Sequence, residues 1–201
     1  MSILVGLTGS VGSGKSLAAS YFKEQGAHTI DADLISRQLV EPGQPAWKEI
    51  VDEFGKEYFN DDQSLNRAKI ASEVFRNDEK RSILEGILHH RVIAEEKKIY
   101  HSYHKIDSKA VVIVDAALLI ESGNYKNMDR IVIVQCTEEL QIRRVMECSK
   151  KPHADVKNRL KSQMPLKEKL KYADYILCNE SNRDQLKSRV CRLYSELKNL
   201  V

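Results

Sequence analysis

A glycine-rich segment near the start of the chain constrains the fold more than any other feature. Residues 9–16 read Gly-Ser-Val-Gly-Ser-Gly-Lys-Ser, the G-x-x-x-x-G-K-[ST] pattern of a phosphate-binding loop. An apolar run from Ile3 to Thr8 precedes it, and a helical pattern opens at Lys15. Because this motif requires a strand before it and a helix after it, the sequence predicts a nucleotide site on an α/β fold.

The residues of this phosphate loop, residues 9–16, have separate physical roles. The glycines allow a tight turn whose N–H groups, together with the start of the following helix, surround phosphate oxygens. We expect Lys15 to reach the outer phosphates and Ser16 to place its hydroxyl on a Mg²⁺ ion, which prefers oxygen ligands. The alternative is a glycine-rich turn without a ligand. The residues predicted to bind the nucleotide are Gly9, Val11, Gly12, Ser13, Gly14, Lys15 and Ser16.

Short apolar runs rich in β-branched residues recur along the 201 residues and alternate with helical stretches. They are Ile3–Thr8, His28–Asp31, Ala110–Asp115, Arg130–Gln135 and Tyr175–Cys178. Strands separated by helices favour a parallel sheet covered on both faces. The sequence therefore predicts one α/β domain with a five-stranded parallel sheet of the P-loop NTPase type.

Two stretches between the predicted strands are too long for simple connections. Residues 58–108 carry helical patterns over far more chain than a crossover needs, so we expect a helical lobe that holds a second substrate. The alternative is a set of helices that only covers the sheet edge. Residues 137–172 carry short helical patterns separated by prolines, which suits a mobile lid. The predicted core is about 1–57, 109–136 and 173–201.

Composition argues against several classes of protein. The four cysteines lie far apart without a C-x-x-C pair, which favours reduced thiols in a cytoplasmic protein. The first predicted strand starts at Ile3, so we expect no leader, and no apolar run reaches the about 18 residues of a membrane span. The net charge of +3 is spread over helices without an aromatic and basic platform, so we expect no nucleic-acid partner.

Acidic residues follow two of the predicted strands, at the edge where open parallel sheets bind ligands. Asp115 ends the third strand and resembles the carboxylate that helps order Mg²⁺, often through water. The alternative for Asp115 is a cap of the following segment. After the second strand, Asp31 is expected to cap a helix, and Asp33 is a candidate base for the proton of an attacking hydroxyl. The alternative for Asp33 is a carboxylate that only favours the helix N-terminus.

Cationic residues in the predicted lid are candidates for stabilising a transferring phosphoryl group. Arg143 and Arg144 lie in its first helical pattern, and Arg159 and Gln163 are expected at i and i+4 on one later helix face. A surface arginine more often contributes only solubility. The pair His89-His90 does not fit a metal site, because adjacent helix residues point in different directions.

Together these motifs resemble the dephospho-CoA kinase family along nearly the whole chain. The matching residues are Gly6 to Gly9 before the loop, Asp31-Ala32-Asp33 with Arg37 and Val40 to Gly43, Leu84-Glu85 before His89, Asp115 with Leu118-Leu119 and Glu121, Arg159 with Gln163, and Ala173 to Tyr175 with Asn179. The phosphate loop is shared by many families, whereas the order of residues from Asp31 to Gly43 is more specific.

The resemblance implies transfer of the γ-phosphoryl group of ATP to the 3′-hydroxyl of the ribose in dephospho-CoA, which gives CoA and ADP. It implies that Asp33 is the base and that Lys15, with Arg143 or Arg144, stabilises phosphoryl charge. Ser16 would then be the Mg²⁺ ligand.

The resemblance also assigns residues to the two substrates. The residues that would bind the acceptor are Asp33, Arg37, His89 and Asp115, and Asn179 is expected to contact ATP because of its place after the last strand. The expected partner is the small molecule dephospho-CoA, with neither nucleic acid nor membrane, for a cytoplasmic monomer or weak homo-oligomer.

The chain departs from the usual family residues at four places. His90 and Ala117 replace prolines and Ile120 replaces a phenylalanine, changes that concern backbone shape and packing. Cys148-Ser149 stands where the family usually has an Arg-Asp pair, which removes a cation from the predicted lid.

Two other functions use a similar core. A kinase for a nucleotide or nucleoside has the same loop. The long helical lobe and residues 31–43 are the features that distinguish a dephospho-CoA kinase from such a kinase. A GTPase-type switch requires D-x-x-G after the third strand and an N-K-x-D segment, whereas residues 115–118 read Asp-Ala-Ala-Leu and residues 179–182 read Asn-Glu-Ser-Asn. Neither segment fits a GTPase.

Overall fold

The structure, a computed structural model, describes residues 1–149 and 152–201 and divides the chain into two compact units. The sheet unit comprises residues 1–31 and 99–201, and the helical unit comprises residues 32–98. The contacts therefore group residues 32–57 with the later helices, whereas the sequence analysis assigns them to the core. Residues 150 and 151 of the predicted lid lie outside the described residues.

The described part of the sheet unit contains five parallel strands in the order β2-β3-β1-β4-β5. This confirms the predicted fold class, and the strand bounds agree with the sequence analysis except that β3 begins one residue later. The strands are β1 (Ile3–Thr8), β2 (His28–Asp31), β3 (Val111–Asp115), β4 (Arg130–Gln135) and β5 (Tyr175–Cys178).

The helices are divided between the two units. In the sheet unit they are α1 (Lys15–Glu24), α6 (Glu138–Ser149), α7 (His153–Lys161), α8 (Leu166–Lys169) and α9 (Arg183–Lys198). In the helical unit they are α2 (Ala32–Leu39), α3 (Pro45–Phe54) and α4 (Arg67–Arg76), and the long α5 (Asp78–Ile106) crosses the boundary between the units.

Local sequence signals explain several of these helix ends. Pro45 occupies the first turn of α3, where its missing N–H costs nothing because that N–H has no partner within the helix. The side chain of Asn182 accepts a hydrogen bond of 3.0 Å from the backbone N–H of Gln185 and so caps α9. Gly26 has a φ of +101° just after α1, a conformation that glycine adopts without strain.

One face of the sheet packs against α1 and α9. Alternate residues of the central strands point to this face, including Leu7 and Ile113, and meet Phe22 of α1 and Leu197 of α9. All four side chains are buried. Burial on this scale contributes roughly 1.5–3 kcal/mol for each large apolar side chain, so this face anchors both the strand and the helix that flank the phosphate loop.

The helical unit has its own apolar core. Its buried residues include Ile50 and Phe54 of α3, Ile70 of α4 and Ile87 of α5, together with Val40 and Tyr58 of the connecting segments. On its surface the guanidinium of Arg91 donates to Glu49, with 2.5 Å between Nη2 and Oε1. None of the described helices has the length and apolarity that a membrane span requires.

Gly6 of β1 lies against Leu119, on the face of the sheet opposite α1 and α9. A substitution at Gly6 therefore tests the packing on that face. A Cβ at Gly6 would lie 2.4 Å from Cδ2 of the buried Leu119, closer than real carbon contacts. We expect Gly6→Ala to lower the free energy of unfolding by about 1–3 kcal/mol, measured by urea denaturation.

Gly86→Ala provides the matched control for Gly6→Ala. Gly86 lies inside α5 with no atom within 4 Å of an added Cβ. Alanine there should raise the stability by up to about 1 kcal/mol, because glycine is a poor helix former. Equal stability of Gly6→Ala and the parent chain would show that Leu119 moves aside without cost.

Candidate active site

The phosphate loop forms the turn between β1 and α1, as the motif predicts. Gly12 and Gly14 have φ values of +78° and +93°. A Cβ at Gly12 would lie 2.6 Å from the backbone oxygen of Gln141, and one at Gly14 would lie 2.1 Å from Nδ2 of Asn179. Backbone conformation and close neighbours thus both require glycine at these two positions.

Lys15 and Asp115 form an ion pair at the carboxyl edge of the sheet. The pairing of β3 with β1 places Asp115 beside Leu7, one residue before the end of β1. Lys15 opens α1 on the far side of the loop, and its Nζ donates to Oδ1 of Asp115. Both side chains are largely buried, at 12% and 13% exposed. The sheet order thus brings together two residues that the sequence analysis assigns to one site.

Asn179 braces the loop from the end of β5. Its backbone N–H donates to the carbonyl of Gln135 over 2.7 Å, which continues the pairing of β4 with β5. Its buried side chain donates from Nδ2 to the carbonyl of Ser13 over 2.8 Å. The amide of Asn179 therefore holds the loop backbone, and its predicted contact with ATP stays a prediction.

The two candidate lid arginines differ in their surroundings. Arg144 donates from Nη2 to the carbonyl of Asn179 over 3.0 Å, and its buried Nη1 has no hydrogen-bond partner among the described residues. Arg143 is exposed and lines a groove with Met146 and His153. The structure therefore joins Arg144, but not Arg143, to a residue that contacts the phosphate loop.

A side chain from beyond α7 also reaches the loop. Gln163 Oε1 accepts a hydrogen bond of 2.9 Å from the backbone N–H of Val11. The predicted shared helix face of Arg159 and Gln163 is wrong, because α7 ends at Lys161 and Gln163 lies in the following turn. The tertiary contact, rather than helix periodicity, explains where Gln163 lies.

Sequence reasoning missed a buried ion pair next to this contact. Lys169 is fully buried, and its Nζ lies 2.9 Å from Oε1 of Glu121 and 3.3 Å from the carbonyl of Ala117. Lys169 is one of many lysines in a charged segment, so no sequence signal marks it. The family resemblance includes Glu121 without giving it a role.

The predicted acceptor residues Asp33, Arg37 and His89 lie in the helical unit. Asp33 is exposed in the first turn of α2, and Arg37 is exposed four residues later on the same helix. Residues at i and i+4 share a helix face, so α2 presents an anion and a cation side by side. His89 is half-buried on α5.

The donor set fits a weakly held Mg²⁺ rather than a dedicated metal cage. Within residues 1–149 and 152–201, no cluster of three or more His, Cys, Asp or Glu side chains is arranged to hold a metal. Ser16 offers an exposed hydroxyl in the first turn of α1, and Asp115, which pairs with the preceding Lys15, offers a carboxylate. Mg²⁺ commonly takes one or two protein oxygens and completes its shell with phosphates and water.

Cys136 lies against the loop but is not poised for reaction. The thiol is buried and points at the carbonyl of Gly12, with 3.8 Å between Sγ and the oxygen. Burial raises the pKa of the Cys136 thiol above its ordinary value. Cys148, by contrast, is exposed in the last turn of α6, four residues after Arg144.

A family model described as dephospho-CoA kinase (CoaE) matches residues 3–185 of the chain. The chain belongs to the dephospho-CoA kinase family. It is 35% identical over 193 residues to the dephospho-CoA kinase of Aquifex aeolicus, with 96% of each protein covered. It is 40% identical over 180 residues to that of Bacillus cereus, with 90% of each covered.

A solved structure of the family agrees with this assignment. The dephospho-CoA kinase from Campylobacter jejuni superposes with a TM-score of 0.73 at 25% identity, over 99% of this chain and 98% of that one. The predicted family and enzyme class are confirmed: the chain is a kinase with a P-loop fold.

Proposed function

We propose that this family member transfers the γ-phosphoryl group of ATP to the 3′-hydroxyl of the ribose of dephospho-CoA, giving CoA and ADP. The family match over residues 3–185 carries the proposal. It is supported by an intact phosphate loop whose lysine lies against Asp115 at the carboxyl edge of the sheet.

The sheet unit supplies the ATP side of the reaction. The backbone N–H groups of the loop other than that of Val11, which donates to Gln163, and the start of α1 bind phosphate oxygens, because both present positive partial charge. Lys15 and Arg144 stabilise the negative charge of the transferring group. Ser16 would hold a Mg²⁺ ion, which would supply positive charge that neutralises the phosphates.

The helical unit supplies the acceptor side. Asp33 accepts the proton of the attacking hydroxyl, a role that suits an exposed carboxylate just beyond the carboxyl end of a parallel strand. It lies two residues after Asp31, the Cα partner of Asp115 in the sheet. Arg37 and His89 bind the acceptor, and the cationic Arg37 suits the phosphate groups of dephospho-CoA.

Substrate specificity provides the first test of this function. We expect ADP formation from ATP and Mg²⁺ with dephospho-CoA as acceptor, and at most background rates with adenosine or nucleoside monophosphates. A coupled assay of ADP release measures this. Turnover with the control acceptors alone would instead identify a nucleoside or nucleotide kinase.

Asp33→Asn tests the proposed base. Loss of a general base lowers kcat by about a hundred- to ten-thousand-fold, while ATP binding, followed by titration calorimetry, should change little. Asp52→Asn, on an exposed aspartate of α3, is the matched control and should keep the parent rate. An unchanged rate for Asp33→Asn would remove Asp33 from the mechanism.

Arg144→Met and Arg143→Met test which lid arginine stabilises phosphoryl charge. Loss of a charged hydrogen-bond donor at the phosphates lowers kcat/KM by about ten- to a hundred-fold, so we expect this for Arg144→Met. Arg143 is exposed and lies in a separate groove, so its substitution should have little effect. The reverse order of effects would show that α6 presents its other face to ATP.

A further inference from the structure

Gln163, which has no role in the proposed mechanism, contacts the phosphate loop at Val11. The backbone N–H of Val11 donates to Oε1 of Gln163 over 2.9 Å. Val11 and Gln163 are both half-buried, and the contact joins residues that are 152 positions apart in the chain. A side-chain carbonyl thus takes one of the loop N–H groups that would otherwise need water or a ligand.

The segment that carries Gln163 is fixed to the framework of the loop. The next residue, Met164, donates its backbone N–H to Oε1 of Glu121 over 3.1 Å. Glu121 also pairs with the fully buried Lys169. The carbonyl of Ala117 accepts hydrogen bonds from both Lys169 and Thr8, the last residue before the loop. Gln163 is therefore anchored to the same strand end from which the loop begins.

A second amide side chain holds the loop from the β5 side. Asn179 donates to the carbonyl of Ser13 over 2.8 Å, whereas Gln163 accepts from the N–H of Val11 over 2.9 Å. One amide thus fixes a carbonyl and the other fixes an N–H, two residues apart in the same turn. Together they hold the peptide plane before Val11 and the peptide plane after Ser13, which lie on either side of residues 11–13.

We propose that Gln163 is a positioning residue that holds the phosphate loop in its nucleotide-binding conformation by accepting the N–H of Val11. The inference rests on the proposed function, since it assumes that the loop binds ATP. A loop that is already ordered loses less conformational entropy on binding, so the contact tightens ATP binding. Because the neighbours of Gln163 are anchored, Gln163 keeps its hydrogen bond to Val11 when ATP binds. A side chain that occupied the phosphate site in the absence of ATP would have to move away when ATP binds.

Gln163→Met tests the hydrogen bond from Val11 to Gln163, because methionine keeps the approximate length of the side chain and removes the acceptor oxygen. We expect the dissociation constant of ATP, measured by titration calorimetry, to rise about ten-fold. The KM for ATP should rise in parallel, while kcat at saturating ATP changes by less than about two-fold because the chemical groups are intact. Gln163→Asn, one methylene shorter, should behave like Gln163→Met.

Gln185→Met is the matched control, because Gln185 is exposed on α9 and its substitution should leave ATP binding unchanged. Amide hydrogen exchange measured by NMR gives a readout that does not need catalysis. In the parent chain the N–H of Val11 should be protected, and in Gln163→Met it should exchange about ten-fold faster while the amides of β1 keep their rates.

Two results would overturn the proposal. Unchanged or tighter ATP binding by Gln163→Met would show that Gln163 competes with the ligand or does not affect it. Unchanged exchange at Val11 would show that the hydrogen bond does not hold this amide. Failure of the proposed function is a separate result: the parent chain would then bind ATP without phosphorylating dephospho-CoA, and the calorimetric comparison would still decide the role of Gln163.

Discussion

The pairing of β3 with β1 is the constraint on which the active site depends. Parallel pairing brings the carboxyl ends of both strands to one edge, so that Asp115 lies beside the strand that leads into the phosphate loop. Lys15 closes this arrangement from the start of α1 by pairing with Asp115. A shift of β3 by one residue would turn Asp115 to the other face of the sheet and separate the two charges.

The loop itself depends on residues far away in the sequence. Its glycines permit the turn, but they also raise the conformational entropy of the unbraced chain. Asn179 and Gln163 offset this by fixing a carbonyl and an N–H of the turn from two sides. A tightly curved backbone that binds phosphates thus needs both flexible residues within it and rigid partners around it.

The parts that local pattern determines were predictable from the sequence. The apolar runs gave all five strands of the described sheet, because strands buried on both faces read as continuous β-branched segments. The placement of Lys15 and Asp115 in one site followed from the loop motif and from the rule that ligands bind at the carboxyl edge, whereas their ion pair was not predicted. The contacts of Gln163 and Lys169 were not predictable, because they join turns whose meeting depends on the tertiary fold.

The error over Arg159 and Gln163 shows where periodicity fails. A spacing of i and i+4 indicates a shared face only while the helix continues, and α7 ends two residues before Gln163. Gln163 lies beyond the helix end, and its side chain contacts the N–H of Val11. The residue is placed by the anchored turn after α7, so the end of that helix is itself part of the site.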